Sequence, residues 1–187
     1  MKFSRLVSPA AALMAVGVMV QTAESVEVGD DAPSISATTH TGEAWKSSDH
    51  ADKTVVYFFF PAAMTGGCTK QSCAYRDDLE SLNEKGVEVV GVSGDSVSGL
   101  KHFDDKHDFG YMMLSDFDGK ISEALGVPAG KGSTLTFEID GEKVDFERGV
   151  TTKRWTVITK DGKVVYKQEV KNAAGDSKAV MAFLEKQ

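Results

Sequence analysis

The amino-acid sequence predicts an α/β fold with a mixed central sheet flanked by helices. Two apolar runs, at 55–60 and 88–93, are short and rich in β-branched or aromatic residues, which is typical of strands buried on both faces. Stretches with helical spacing of apolar residues lie between and after these runs. Strands that alternate with helices indicate a single α/β layer structure, and we find no internal repeat or second domain.

The first 25 residues predict a secretory signal peptide. Lys2 and Arg5 give a positive start, an apolar segment follows at 6–20, and small residues near position 25 offer a cleavage site. The apolar segment is too short to favour a permanent membrane span, although an uncleaved N-terminal anchor is the alternative. We therefore expect an exported protein, periplasmic or secreted or alternatively in an organelle lumen, whose residues 26–187 form one domain.

The composition argues against several kinds of partner and cofactor. The 187 residues include 21 basic and 28 acidic side chains, for a formal net charge of −7. With no basic cluster, nucleic acid is not an expected partner. The four histidines have neither metal-ligand spacing nor a catalytic neighbour, so we expect no metal and no cofactor.

Short elements lead to the first buried strand. Apolar residues at 35–37 and 44–45 flank a Thr-His-Thr-Gly turn and predict an N-terminal hairpin. The strand at 55–60 ends at Pro61, which has no N–H to donate to a strand ladder.

Cys68 lies at the position of greatest chemical interest. After Gly66 and Gly67, apolar residues at helical spacing predict a helix from Cys68 to Gly86, so Cys68 stands where a loop becomes a helix. Free N–H groups and the positive end of the helix dipole favour a thiolate there, and the thiolate is the nucleophilic form. Thr65 offers a hydroxyl three residues earlier. By itself, a lone cysteine is more often a buried structural thiol.

Cys73 is the only other cysteine in the chain and forms a C-x4-C pattern with Cys68. On an intact helix, five residues place the two Cα atoms roughly 8–9 Å apart, whereas a disulfide needs them within about 7 Å. A bond between these thiols therefore requires the helix to unwind, which suits a bond that is formed and broken in a cycle. The spacing disfavours both a C-x-x-C redox site and a tetrahedral metal site.

The rest of the chain continues the alternation of strands and helices. In order, we predict a helix capped by Ser96 and running to His107, a short strand at 112–114, a short helix at 120–125, a hairpin of 155–159 and 164–166, and a helix capped by Asp176 or Ser177. Residues 134–147 alternate apolar and polar side chains around an Asp-Gly and predict an extra hairpin. This hairpin is either a surface decoration or a wall over the active site.

Pro61, Thr65 and Cys68 match the P-x-x-x-T-x-x-C signature of the peroxiredoxins. The continuation from Cys68 to Asp77 resembles the PrxQ subgroup, also called the bacterioferritin-comigratory-protein type. The likeness extends from about Gly29 to the C-terminus. It implies a thioredoxin-like fold, which the N-terminal hairpin and the extra hairpin would extend.

Arg154 begins an R-x-T sequence that fits the same family at the head of a late strand. The resemblance implies that its guanidinium stabilises the thiolate and helps to polarise the peroxide. We therefore prefer it to Arg76 and Arg148, and Arg76 is a candidate for ordering the site from the predicted helix. Where the family commonly has Thr-Pro-Gly-Cys, this chain has a glycine at position 66, which makes the loop more flexible.

The resemblance implies a thiol peroxidase that reduces hydrogen peroxide and organic hydroperoxides. Cys68 would become a sulfenic acid, Cys73 would resolve it as an intramolecular disulfide, and a thioredoxin-like donor would reduce the disulfide. Thr65 and Arg154 would hold the peroxide oxygens, and Pro61 would shield the thiol from solvent. We expect a monomer without stable membrane association. The alternatives are an exported thiol–disulfide oxidoreductase and a non-enzymatic redox sensor with a regulatory disulfide.

Overall fold

The computed structural model describes residues 25–139 and 141–187. The predicted signal peptide, residues 1–25, lies outside this range except for Ser25. Within the described ranges, no helix is long and apolar enough to cross a membrane.

The described residues form a mixed α/β structure. In chain order the strands are β1 (Ser36–Thr39), β2 (Ala44–Lys46), β3 (Thr54–Phe59), β4 (Val87–Ser93), β5 (Met112–Ser115), β6 (Ala129–Lys131), β7 (Thr134–Ile139), β8 (Glu142–Glu147), β9 (Val150–Thr152), β10 (Trp155–Lys160) and β11 (Lys163–Glu169). The α-helices are α1 (Gly66–Asp77), α2 (Leu79–Glu84), α3 (Val97–His107), α4 (Lys120–Ala124) and α5 (Asp176–Leu184), with 3₁₀ turns at Ser47–His50 and Ala173–Gly175.

Seven of these strands form the central sheet, in the order β11-β10-β3-β4-β5-β1-β2. The β3–β4 and β4–β5 pairs are parallel, and the other pairs are antiparallel. The predicted mixed sheet, N-terminal hairpin and late hairpin are therefore confirmed.

Strand β3 is buried on both faces, as its apolar run predicts. Alternate side chains along it point to opposite sides of the sheet. Val56 and Phe58, continued by Phe60 just after the strand, belong to the core under α1, α3 and α5. Val55, Tyr57 and Phe59 belong to the core on the opposite face. Burial of both sets fixes β3 as the centre of the sheet.

The helix after β3 differs from the prediction at both ends. It begins at Gly66 rather than Cys68, and it ends at Asp77, after which α2 begins at Leu79. Asp78 breaks the helix, with φ −100° and ψ 2°. Its carboxylate accepts hydrogen bonds from two residues at the start of α5, Ser177 Oγ and Lys178 Nζ, a tertiary contact that local periodicity does not reveal.

The start of α5 also differs from the prediction. The cap position is Gly175, so neither Asp176 nor Ser177 is the N-cap. The Asp176 side chain instead lies in the interior, where it contacts α1 and β10. A carboxylate beside a helix start is the usual sign of a cap, and here tertiary hydrogen bonds take its place.

The extra hairpin predicted at 134–147 is present as β7 and β8. It packs on α3 through Phe146, which is fully buried and lies against Gly99 and the ring of Phe137. Strands β6 and β9 form a separate pair that the sequence did not indicate, because each has only three residues.

Candidate active site

Cys68 lies at the start of α1, just beyond the carboxyl end of β3. Its thiol is buried, with 1% of the residue exposed. Before it, Met64 adopts a left-handed backbone conformation with φ 65°, and Thr65 returns to extended geometry at the cap position. Because a non-glycine residue seldom takes positive φ, this turn requires support from its surroundings.

In the structure, the Arg154 guanidinium contacts the Cys68 thiol. Arg154 Nη2 lies 3.3 Å from Cys68 Sγ and donates a hydrogen bond to it. A Cβ atom at Gly67 would lie 3.3 Å from the same nitrogen, so the glycine gives the guanidinium room to approach. A positive, planar donor at this distance stabilises a thiolate and remains close to any oxygen that the sulfur attacks.

A chain of hydrogen bonds continues from Arg154 into the interior. Arg154 Nη1 donates to Gln71 Oε1, and Gln71 Nε2 donates to Asp176 Oδ2 at 2.8 Å. The same carboxylate oxygen accepts from Tyr75 and Thr156, at 2.9 and 2.8 Å. Asp176 therefore fixes which end of the Gln71 amide faces the guanidinium.

Asp176 is 3% exposed, and burial raises the pKa of its carboxyl above the ordinary value. The hydrogen bonds from Gln71, Thr156 and Tyr75 and the charge of Arg154 act in the opposite direction. Burial is the larger effect, since it removes the charged form from water.

Thr65 and Pro61 both lie in the loop before α1. Thr65 Oγ1 donates to the carbonyl of Ala62 at 2.8 Å, so its oxygen lone pairs remain available to accept another hydrogen bond. Pro61 is half-buried and directly follows Phe60, whose N–H donates to Val92 O. The predicted residues of the loop thus lie on the chain segment that leads into Cys68.

The backbone of this loop is held from the next strand. Ala63 N donates to Asp95 Oδ2 at 2.8 Å, and Ser93 Oγ donates to the same oxygen at 2.6 Å. Asp95 is fully buried just beyond β4. The carboxyl ends of β3 and β4 therefore meet at this edge of the sheet, as expected for parallel neighbours.

Cys73 lies on α1 with Cys68, and both thiols are free in the described chain. Its side chain is half-buried. Because both residues belong to one continuous helix, their Cα atoms are roughly 8–9 Å apart, too far for a disulfide. The structure shows the two cysteines in a state that must rearrange before they can bond.

The other two arginines considered as candidates have different partners. Arg76 Nη1 donates to His107 O at 2.9 Å, and its remaining bonds go to Asp77. Arg148 Nε donates to Asp95 Oδ1 at 3.2 Å.

Gln71, Asp176 and Asp95 were not among the residues selected from sequence. Asp95 carried a usable signal, because a carboxylate directly after a buried parallel strand lies at the edge where sites form. Gln71 lies three residues after Cys68, on the helical face of the thiol, which also could have identified it. Asp176 carried a signal for a helix cap only.

The sequence matches the model of the AhpC/TSA family over residues 28–167. A protein of Coxiella burnetii named putative peroxiredoxin bcp is 35% identical over an alignment of 149 positions, and the match covers 75% of this chain and 95% of that protein. The chloroplastic peroxiredoxin Q of Populus jackii is 42% identical over 110 residues; the match covers 59% of this chain and 52%, about half, of that longer protein.

Solved structures of proteins with similar names share the fold of this chain. The chain is similar to peroxidoxin BcpB of Mycobacterium tuberculosis, with a TM-score of 0.70 and 28% identity over 86% of this chain and 97% of that one. The bacterioferritin comigratory protein of Xanthomonas campestris aligns with a TM-score of 0.66 and 25% identity, over 81% and 90% of the two chains. The chain therefore belongs to the AhpC/TSA family, in which it is a thiol-dependent peroxidase of the peroxiredoxin Q type.

Proposed function

We propose that Cys68 is the peroxidatic residue and that it reduces hydroperoxides through a sulfenic acid. The observation that carries this proposal is the 3.3 Å hydrogen bond from Arg154 Nη2 to the buried Cys68 Sγ at the start of α1. The thiolate attacks the terminal peroxide oxygen, the S–O bond forms as the O–O bond breaks, and the departing oxygen takes a proton. The products are Cys68 sulfenic acid and water or an alcohol.

Arg154 stabilises the charge that moves onto the departing oxygen, and Thr65 holds the peroxide in place. The guanidinium already lies beside the sulfur, and the Thr65 hydroxyl can accept from the peroxide because its own proton is bound to Ala62 O. Donors that are in place before the reaction need no reorganisation in the transition state. Pro61 shields the thiol from solvent, and its fixed φ restrains the loop.

Cys73 resolves the sulfenic acid. Its thiolate attacks Cys68 Sγ, the S–S bond forms as the S–O bond breaks, and the sulfenic oxygen takes up a proton and leaves as water. The helical separation of the two residues requires the first turns of α1 to unwind before this step. The resulting disulfide is within one chain, in keeping with a monomer.

The relatives support the choice of substrate. The solved structures of the Xanthomonas campestris protein concern its alkyl peroxide reduction activity, so organic hydroperoxides join hydrogen peroxide as proposed substrates. The proposed reductant is a thioredoxin-like dithiol protein, which would return both cysteines to thiols. The proposed signal peptide places this chemistry outside the cytosol, periplasmic, secreted or in an organelle lumen.

Measurement of peroxide consumption with dithiothreitol or thioredoxin as the reductant tests the proposal. We expect Cys68→Ser to abolish turnover, because a hydroxyl is a far weaker nucleophile than a thiolate. The control is Lys70→Ala, an exposed change on the same helix that should leave turnover intact. Undiminished turnover by the serine variant would contradict the proposed nucleophile, and a wild-type protein that exchanges disulfides but consumes no peroxide would indicate an oxidoreductase instead.

A further inference from the structure

We propose that Arg148 is a positioning residue for peroxide attack, acting through Asp95 on the loop that precedes Cys68. Arg148 directly follows β8 of the extra hairpin. The inference rests on the proposed function of that loop and assigns to the hairpin a task beyond covering α3.

The two side chains form a buried ion pair. Arg148 is 7% exposed and Asp95 is fully buried, and Arg148 Nε donates to Asp95 Oδ1 at 3.2 Å. The second oxygen, Oδ2, accepts from Ala63 N and from Ser93 Oγ. Arg148 thus holds one oxygen while the loop is bound to the other.

The ion pair fixes the orientation of the Asp95 carboxylate. Its Oδ1 accepts from Arg148 Nε, which turns Oδ2 towards Ala63 N and Ser93 Oγ. Without the guanidinium, Oδ1 loses the partner that holds it, and the carboxylate can rotate or shift. Removal of Arg148 therefore changes the position of the acceptor for the Ala63 N–H.

Ala63 transmits this constraint to the reacting groups. Its neighbours are Ala62, whose carbonyl accepts from Thr65 Oγ1, and Met64, whose φ is 65°. A residue with positive φ is held by its surroundings rather than by its own preference. If the Ala63 N–H loses its acceptor, the turn can relax and the Thr65 hydroxyl moves with it.

Contacts around the hairpin argue against a purely structural role for Arg148. The backbone already fastens this segment, since Ser96 N donates to Glu147 O at 2.8 Å and Gly149 N donates to Gly94 O at 3.1 Å. Within the described residues, Arg148 Nη2 is buried without a hydrogen-bond partner, which carries a desolvation cost. A buried ion pair with one such atom contributes little net stability, so its value lies in the geometry that it sets.

The test measures two reactions of the reduced full chain. One is the second-order rate constant for oxidation of Cys68 by hydrogen peroxide, and the other is the rate of Cys68 alkylation by iodoacetamide. We expect Arg148→Met to slow peroxide attack by about ten- to a hundredfold, because misplacement of a catalytic group by about 1 Å has effects of that order. Alkylation should stay within about twofold of wild type, since it needs the thiolate but not the peroxide-binding loop.

A double-mutant comparison separates positioning from general damage. In an Asp95→Asn background, Arg148→Met should have almost no further effect on peroxide attack, because the carboxylate through which it acts is gone. Phe137→Ala is the matched control: it weakens hairpin packing on Phe146 without touching the ion pair, and it should leave the peroxide rate constant unchanged.

Three results would overturn the inference. The first is a peroxide rate constant of Arg148→Met within about twofold of wild type. The second is an equal loss of peroxide attack and of alkylation in that variant. The third is that Arg148→Met slows peroxide attack as much in the Asp95→Asn background as in wild type. If Arg148→Met does not fold, Asp95→Asn replaces it, because that change removes the carboxylate through which Arg148 acts, and an unchanged peroxide rate constant would again overturn the inference. Failure of the proposed function is distinguishable, since wild-type Cys68 itself would then not react with peroxide.

Discussion

At the scale of single residues, each side chain near the thiol is placed by one specific partner. Arg154 contacts Cys68 with one nitrogen and Gln71 with the other. Gln71 in turn donates to Asp176, so its amide has one orientation in which both bonds form. The position of the guanidinium is therefore set from the interior of the protein as well as by its own strand.

The first prediction concerns the planarity of the guanidinium. We expect Arg154→Ala to slow peroxide attack by about a hundredfold or more, as loss of a preorganised donor does in other enzymes. Arg154→Lys retains the charge but cannot contact both Cys68 and Gln71, so it should restore only part of the rate. Stopped-flow oxidation of the reduced protein measures both variants, and a wild-type rate in Arg154→Ala would move the role to another group.

The second prediction uses the raised pKa of Asp176. Because the folded protein binds this proton more tightly than the unfolded chain does, the contribution of Asp176 to stability is fully present below the unfolded pKa, about 4. That contribution is lost as the pH rises through the higher folded pKa. Relative to Asp176→Asn, wild type should therefore lose unfolding free energy as the pH rises above about 4, and then level off.

Urea unfolding of both proteins at a series of pH values measures this difference. Asp52→Asn, the same substitution at an exposed position, is the control for the effect of the mutation itself. If the unfolding free energy of wild type, relative to Asp176→Asn, rises with pH instead, the hydrogen bonds to Asp176 affect its pKa more than burial does.

The residues of the site were predictable from the sequence where they belong to a short sequence motif. Thr65, Cys68 and Arg154 stand in recognisable short patterns, and the structure brings the last two together. Gln71 has only its spacing from Cys68, and Asp176 has no site pattern at all, because a polar residue on a helix normally indicates a solvent-exposed face. Their burial results from a contact between two helices separated by more than a hundred residues, which no local pattern contains.

At the scale of elements, α1 has two ends that are held differently. Its first residues, Gly66 and Gly67, have no side chains and are exposed. The later part is tied to the start of α5 through Tyr75 and through Asp78, the residue that follows the helix. The helix is therefore weakest at the end that carries Cys68, where the proposed cycle requires it to unwind.

The third prediction is that peroxide melts this end of α1 and leaves the sheet intact. Hydrogen exchange in residues 66–76 should rise after one equivalent of peroxide, while β3 stays protected. Cys73→Ser should stop at Cys68 sulfenic acid or oxidise further, without the rise in exchange. A disulfide-linked dimer with Cys73 still free would contradict its assignment as the resolving residue.

The division of the predicted helix into α1 and α2 could not be predicted from the periodicity of apolar residues. The predicted helix from Cys68 to Gly86 is divided at Asp78, because that carboxylate binds Ser177 and Lys178 rather than its own helix. The hairpin at β7 and β8 was predictable because its alternation and Asp-Gly turn are local signals.

At the scale of the whole molecule, the site lies where two parallel strands of the central sheet end. Cys68 follows β3, and Asp95 follows β4. The sheet and its two cores were predictable from the doubly buried run at β3 and from the alternation of elements. The position of Arg148 beside Asp95 was not predictable from the sequence, because it depends on how the hairpin folds back against the end of β4.

The fourth prediction tests how much the core under α1, α3 and α5 contributes to the stability of the fold. Phe58 is fully buried and stacks on Tyr75, with ring centroids 4.3 Å apart. We expect Phe58→Ala to lower the unfolding free energy by about 3–5 kcal/mol, a large share of a typical domain stability of about 5–15 kcal/mol. Exposed Phe117→Ala is the control and should stay within about 0.5 kcal/mol in the same urea titration.

The two glycines at the start of α1 have a consequence for the dose of peroxide that the protein tolerates. Each glycine weakens a helix by about 1 kcal/mol relative to alanine, so the turn before Cys68 opens readily. In the proposed cycle the sulfenic acid either waits for this first-order opening or meets a second peroxide in a bimolecular step that ends in sulfinic acid. The ratio of those two rate constants has the units of concentration. Gly66 and Gly67 thereby help to set a threshold of ambient peroxide, measurable as the concentration at which half of Cys68 becomes sulfinic acid in one turnover.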